Sequence, residues 1–121
     1  MRMTEEKELI QRIIEGIQEK KGKNIVHIDL TKFESATTRN FIICNGNSTN
    51  QVSAIADSVE DYVREHTSMK PYNCDGYANA HWIVLDYGTV YVHIFLPEFR
   101  DYYRLEELWN DAPINIIPDL D

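Results

Sequence analysis

Cysteines, basic runs and long apolar stretches are scarce in this sequence of 121 residues. Cys44 and Cys74 are its only cysteines, whereas a small secreted scaffold held by disulfides needs four or more. The apolar runs are too short to cross a membrane. The N-terminus MRMTEEKELIQ carries acidic residues where a secretory signal needs apolar ones. We therefore expect a soluble, cytoplasmic protein with no membrane partner.

Positive charge is also in short supply. Twelve Lys and Arg stand against twenty Asp and Glu, which gives a net charge of −8. The densest basic cluster is only Lys20, Lys21 and Lys23. An acidic domain without a basic patch is repelled by phosphate backbones, so we expect no direct nucleic-acid specificity. The acidity fits either simple solubility or a basic protein partner, and composition does not separate the two.

The remaining composition, with 43% hydrophobic residues, predicts one packed domain. Apolar stripes at helical spacing predict helices over residues 4–20 and 49–66, and a short helix is predicted over residues 100–109. A strand with one dominant apolar face is predicted at Ile25–Leu30, and a buried strand at Phe41–Cys44. Residues 67–79 are predicted to be irregular. We assign residues 1–112 to the domain and residues 113–121 to an acidic C-terminal tail, either lying over the domain or free in solvent.

The strongest local pattern is a predicted β-hairpin at His81–Phe95 (HWIVLDYGTVYVHIF). If Tyr87 and Gly88 are the central turn residues, Trp82 pairs with His93. Because side chains alternate along a strand, this register sorts them onto two faces. The aliphatic face carries Ile83, Leu85, Val90, Val92 and Ile94. The aromatic face carries Trp82, Val84, Tyr91, His93 and Phe95.

Two interpretations of the aromatic face remain open. Trp and Tyr at a surface are typical of interaction hot spots, because they bury a large area while keeping a polar group. Alternatively, the face is the second side of a sheet, covered by the C-terminal segment. If the face is exposed in the free protein, it could also pair with a second copy, which would make a homodimer.

Catalytic patterns are mostly missing. There is no GxSxG or Cys–His frame, the four histidines lack metal-ligand spacing, and Cys44 lies in an apolar strand where thiols are inert. One alternative is a nucleotidyltransferase-like enzyme that binds an anion at the loop Gly46–Ser48, before a helix N-terminus. Such an enzyme needs carboxylates for magnesium next to the loop. The nearest, Asp57, Glu60 and Asp61, have the spacing of a solvated helix face. We expect no catalytic residue, cofactor or metal.

Three ordered blocks over about residues 8–112 resemble the ribosomal silencing factor family (RsfS), also called Iojap-like. The first block is FIICNGNS at residues 41–48, followed by Gln51-Val52 and Ala54–Asp57. The second comprises Trp82–Gly88 and Val92–Phe95. The third comprises Arg100, Tyr103, Leu105-Glu106 and Leu108-Trp109. The chain departs from the family at Arg39, which stands where an acidic residue is usual.

The resemblance implies an α/β (α+β) fold with a mixed β-sheet flanked by helices, related to the nucleotidyltransferase fold but without its catalytic carboxylates. It implies binding to the large ribosomal subunit through ribosomal protein fourteen, which blocks joining with the small subunit and represses translation. The family's hairpin contacts correspond here to Trp82, Asp86 and Tyr87. The full candidate partner-binding set is Trp82, Val84, Asp86, Tyr87, Tyr91, His93, Arg100, Tyr103 and Trp109.

Overall fold

The computed structural model describes residues 3–120, with the side chain of Met3 left out. Its helices are α1 (Met3–Glu19), α2 (Thr49–Thr67), α3 (Pro97–Tyr103) and α4 (Leu105–Leu108). Its strands are β1 (Lys23–Asp29), β2 (Asn40–Asn45), β3 (Asn73–Asp75), β4 (Trp82–Asp86), β5 (Val90–Phe95) and β6 (Ile114–Ile117). The two long predicted helices and the strands predicted at Ile25–Leu30 and Phe41–Cys44 are confirmed to within two residues.

All six strands form one sheet in the order β3-β4-β5-β2-β1-β6. The central pair, β2 and β5, runs parallel, and the other four pairs are antiparallel. The sheet is therefore mixed, and the predicted α+β fold with flanking helices is confirmed. Strand β2 is buried along its whole length, because it lies in the middle of the sheet and is covered on both faces.

Helices α1 and α2 cover one face of the sheet. Their predicted apolar stripes are buried and meet the aliphatic face of the hairpin in one core. The two helices cross closely at Gly16, where an added Cβ would lie 2.9 Å from the Cα of Val59. Ser48 begins α2, because its hydroxyl accepts a hydrogen bond from the backbone N–H of Gln51 at 3.1 Å.

A second, smaller core lies on the opposite face of the sheet. Its buried members are Val26, Ile28, Leu30, Phe41, Ile43, Phe95 and Ala112. The loop between β1 and β2 covers part of this face with Phe33, and the C-terminal helical segment covers another part with Leu105 and Trp109. The ring centroids of Phe33 and Trp109 lie 5.6 Å apart, so the two coverings meet over the sheet.

Three details differ from the sequence prediction. The segment predicted to be irregular contains β3, which pairs with β4. Residues Ile114–Ile117, predicted to belong to a tail, form β6 and pair with β1, so the sheet extends past residue 112. The predicted helix over residues 100–109 is two helices separated by Arg104, whose φ of 49° is left-handed. Strands of three and four residues are too short to show alternation, which is why the sequence did not reveal them.

Candidate docking surface

The hairpin has the predicted faces but not the predicted register. Asp86 pairs with Tyr91 and Trp82 with Phe95, two residues away from the predicted pairing. The turn centre is Gly88-Thr89, since the Tyr87 N–H donates to the Val90 carbonyl at 2.9 Å and Gly88 takes a φ of +84°. Glycine adopts that φ without steric cost as the first central turn residue. A shift of two residues keeps every side chain on its face.

The part of the aromatic face over β4 is open to solvent. We call Trp82, Val84, Tyr91 and Tyr103 the aromatic surface. The first three are half-buried, and Tyr103 is 46% exposed. The Trp82 ring lies 5.0 Å from the buried Phe95 ring and 4.6 Å from the Tyr103 ring, measured between centroids. The face is therefore divided: Phe95 and His93 are covered, as the second interpretation predicted, whereas Trp82, Val84 and Tyr91 remain partly exposed, so that a role in binding stays a prediction for them.

Strand β3 adds one acidic group, Asp75, beside the aromatic surface, and β4 carries a second, Asp86. Asp75 pairs with Val84 and Asn73 with Asp86, and residues directly opposite each other in an antiparallel pair share a face. Asp75 is exposed, and Asp86 is half-buried with its Oδ1 accepting the Gly88 N–H at 2.7 Å. Two carboxylates therefore flank the open aromatic side chains. Asp75 is not among the residues predicted from the sequence, because a strand of three residues is too short to show alternation.

Two small clefts flank Trp82. One, of about 180 Å³, is lined by Asp75, Gly76, Trp82 and Val84. The other, of about 210 Å³, is lined by Gly76, Asn79, His81, Trp82, Phe99 and Tyr103. Gly76 is required between them, since an added Cβ would lie 2.0 Å from the Trp82 carbonyl oxygen. Trp82 therefore lines both clefts, and an anchor residue in an interface must likewise be within reach of its partner.

Two candidate residues of the hairpin lie below the surface. The Tyr87 side chain is 1% exposed and points into the core beneath α1 and α2, so in this conformation it is not part of the aromatic surface. Burial raises the pKa of its hydroxyl, which has no hydrogen-bond partner among the described residues. His93 is on the aromatic face but only 5% exposed, because Phe41, Trp82 and Phe95 surround its ring.

Arg100 and Trp109 also act inside the domain. Arg100 is 9% exposed. Its Nη1 donates to the Asn24 carbonyl at 2.7 Å and to Asn45 Oδ1 at 2.9 Å, while its Nη2 lies 3.1 Å from Glu106 Oε2. The guanidinium thereby joins α3, α4, β1 and β2. Trp109 is half-buried against Phe33 and Phe41.

Arg39, the departure from the family pattern, pairs with α1. Its Nε lies 2.7 Å from Glu6 Oε1, and the Glu6 side chain is only 12% exposed. This contact fastens the loop between β1 and β2 to the first helix. Arg39 thus has a partner within the chain, and an acidic side chain at position 39 would repel Glu6.

In the loop Gly46–Ser48, two backbone N–H groups are hydrogen-bonded to oxygens of the chain itself. The Gly46 N–H donates to the Phe95 carbonyl at 2.9 Å, and the Asn47 N–H donates to Gln51 Oε1 at 2.6 Å. Two backbone amides that an anion would need are therefore already bonded.

Burial raises the pKa of the Cys44 thiol to about 12, which disfavours the reactive thiolate.

Within residues 3–120, no three or more His, Cys, Asp or Glu side chains are grouped so that they could hold a metal ion. No helix in the same range is long and apolar enough to cross a membrane.

The fold and the surface define a small acidic α+β domain with an open aromatic patch on its sheet. A family model described as "Ribosomal silencing factor during starvation" matches residues 3–121. The chain is 38% identical to the ribosomal silencing factor RsfS of Halalkalibacterium halodurans, covering 88% of this chain and 89% of that protein. It is 34% identical to the RsfS protein of Bacillus subtilis, covering 90% and 91%.

A solved structure agrees with these relatives. The crystal structure of a Chromobacterium violaceum protein superposes with a TM-score of 0.81 at 35% identity, covering 86% of this chain and 85% of that chain. The chain belongs to the ribosomal silencing factor family, as its three sequence blocks predicted.

Proposed function

We propose that this protein binds the large ribosomal subunit through ribosomal protein fourteen and thereby prevents the small subunit from joining. It does so in the cytoplasm, as a steric block and not as an enzyme. The proposal rests on family membership together with one observation: on the face of the sheet that carries the smaller core, the side chains of Trp82, Val84 and Tyr91 remain only half-buried, and the exposed Tyr103 lies against Trp82.

The aromatic surface is supported as the docking site by its chemistry. An interface core gains most from large rings that lose water on binding, and it is enriched in Trp and Tyr for that reason. Trp82 is already held against Phe95 and Tyr103, so little side-chain freedom remains to be lost on docking. The clefts on its two sides are open to side chains of a partner.

The carboxylates beside this surface favour a basic partner. Asp75 and Asp86 flank Val84, and the whole chain carries a net charge of −8. Complementary charge raises the rate of association and orients the two proteins, while buried rings supply most of the affinity. The association rate should therefore fall as ionic strength rises.

Truncating the central ring is the direct test. We expect Trp82→Ala to weaken binding to large subunits by about 2 kcal/mol or more, because a central Trp in an interface is typically a hot spot. Wild-type and variant protein would be mixed with purified large and small subunits and separated on sucrose gradients. The wild type should migrate with large subunits and reduce the fraction of joined ribosomes, and the variant should do neither at the same concentration.

Ile116→Ala is the matched control. Ile116 is 78% exposed on β6, at the opposite edge of the same sheet, so its removal also deletes an exposed apolar side chain. It should leave co-migration unchanged. A folded Trp82→Ala protein that still migrates with large subunits would refute the surface assignment. Failure of the wild type to bind large subunits would refute the function.

Self-association through the same surface is a possible state of the free protein. If it occurs, Trp82→Ala should also reduce it, since one patch would serve both contacts. Sedimentation velocity of the free wild type and the variant measures this directly. Dimers that persist in the variant would show that the contact between the two copies lies outside the aromatic surface.

A further inference from the structure

The hydrogen bond between Trp82 and His93 gives the buried histidine a defined state. The indole Nε1–H of Trp82 donates to His93 Nδ1 at 3.0 Å. An indole nitrogen can only donate, so Nδ1 must present a lone pair and the ring proton lies on Nε2. His93 is therefore the neutral Nε2–H tautomer wherever this bond exists.

The surroundings of His93 are apolar. The centroid of Phe41 lies 4.5 Å away, that of Trp82 5.8 Å and that of Phe95 6.2 Å. Burial lowers the pKa of the imidazole to about 3, which keeps the ring neutral. His93 Nε2 is buried and has no hydrogen-bond partner among the described residues. A phenylalanine would fill the same space without leaving that donor unpaired, so packing alone does not require a histidine here.

The indole of Trp82 needs an acceptor at this place. Its ring stacks on that of Phe95, with the centroids 5.0 Å apart, and Phe95 offers carbon only. A half turn of the ring would move the indole N–H away from His93. The buried Nδ1 atom of His93 would then lack a donor, and the indole N–H would lack this acceptor. The Nδ1 atom of His93 thus favours the ring orientation that places the indole Nε1 within hydrogen-bond distance.

We propose that His93 is a positioning residue that fixes the indole of Trp82 in its docking orientation through Nδ1. This inference rests on the proposed function. His93 is buried and does not reach the binding surface, but it orients Trp82, which does. Loss of the bond frees the indole to sample other orientations, and docking must then order it again. That cost corresponds to roughly 3- to 10-fold weaker binding.

Two substitutions separate positioning from packing. His93→Phe keeps an aromatic ring but removes the acceptor. His93→Asn is smaller but places an amide oxygen near the former Nδ1 position. Nuclear magnetic resonance of the free protein would follow the indole N–H of Trp82, distinguished from Trp109 by a Trp109→Phe sample. In the wild type we expect slow hydrogen exchange at that N–H, in His93→Phe at least 10-fold faster exchange, and in His93→Asn partial recovery.

Binding to large subunits would be measured on the same samples, after circular dichroism has shown that each is folded. We expect affinity to follow indole protection and not stability: His93→Phe binds more weakly although its core is filled, and His93→Asn binds better than His93→Phe although its core has lost volume. His66→Phe, which replaces an exposed histidine stacked on Tyr62 in α2, is the control and should leave the Trp82 N–H unchanged.

The results distinguish this inference from the proposed function. Unchanged indole exchange in His93→Phe would overturn the positioning role, whatever the binding result. Faster exchange with wild-type affinity would also overturn it, since the orientation would then not matter for docking. If wild-type protein does not bind large subunits, the proposed function fails, while the exchange rates still decide whether His93 holds the indole.

Discussion

Replacing Arg100 with methionine should destabilise the domain strongly. Its guanidinium is 9% exposed and bonds the Asn24 carbonyl, the Asn45 amide oxygen and the Glu106 carboxylate. Methionine fills a similar volume but leaves the buried Asn45 amide oxygen without its donor. An unsatisfied buried acceptor costs about 1–3 kcal/mol. Asn24 is exposed and the Glu106 side chain is 33% exposed, so both partners can regain water and the loss of each bond adds only about 1 kcal/mol.

Together these contributions predict that Arg100→Met lowers the free energy of unfolding by about 3–5 kcal/mol, which is also the range for breaking a buried ion pair. Urea denaturation followed by circular dichroism measures the change, with an unaltered slope as the sign of an intact two-state transition. Because α3 carries Tyr103, the folded variant should also lose part of the contact between the Tyr103 and Trp82 rings.

Arg104→Met provides the matched control for the same substitution. Arg104 pairs with Glu107 at 3.5 Å, but the two side chains are 65% and 71% exposed. An exposed pair of this kind contributes less than about 0.5 kcal/mol. A loss below about 1 kcal/mol in Arg100→Met, or equal losses in the two variants, would refute the view that the buried guanidinium joins the C-terminal helices to the sheet.

Two further predictions concern buried polar groups. The pKa of His93 is lowered to about 3 in the folded state from a reference value of 6.5, so the stability that it contributes is present above pH 6.5 and is lost as the pH falls. Between pH 7 and pH 5 the wild type should lose about 2 kcal/mol more than His93→Phe in denaturant titrations, and parallel pH curves would contradict this. Tyr87→Phe should leave the free energy of unfolding unchanged or raise it by about 1 kcal/mol, because the hydroxyl it removes is buried without a partner. A clear loss of stability in that titration would mean that the hydroxyl is bonded in solution.

The parts of the fold that follow from the sequence are those fixed by periodic burial. Helices α1 and α2 each bury one stripe, and that stripe is visible as apolar residues three and four positions apart. The two faces of the hairpin were predicted correctly despite the wrong register, because a shift of two residues does not exchange faces. Gly88 was identified as a turn residue, but its place within the turn depends on its positive φ.

The parts that do not follow are those decided by packing between distant segments. Trp82, Val84 and His93 have the same alternation in the sequence, yet only His93 is buried, since Phe41 from another strand lies against its ring. Arg100 looks like a surface charge until Asn24 and Asn45 are brought to it from β1 and β2. Asp75 could not be assigned to the surface without knowledge of the pairing of β3 with β4.

The edges of the sheet have a consequence for how the protein behaves at high concentration. Strand β6 has only four residues and is bracketed by Pro113 and Pro118, which carry no N–H. The Asp29 N–H bonds the Pro113 carbonyl, so Asn115 and Ile117 point their amides at β1 and only Ile114 and Ile116 present theirs outward. At the other edge, β3 has three residues. Neither edge gives an incoming strand enough donors to extend the sheet, which protects the domain from edge-to-edge aggregation although Ile116 is exposed.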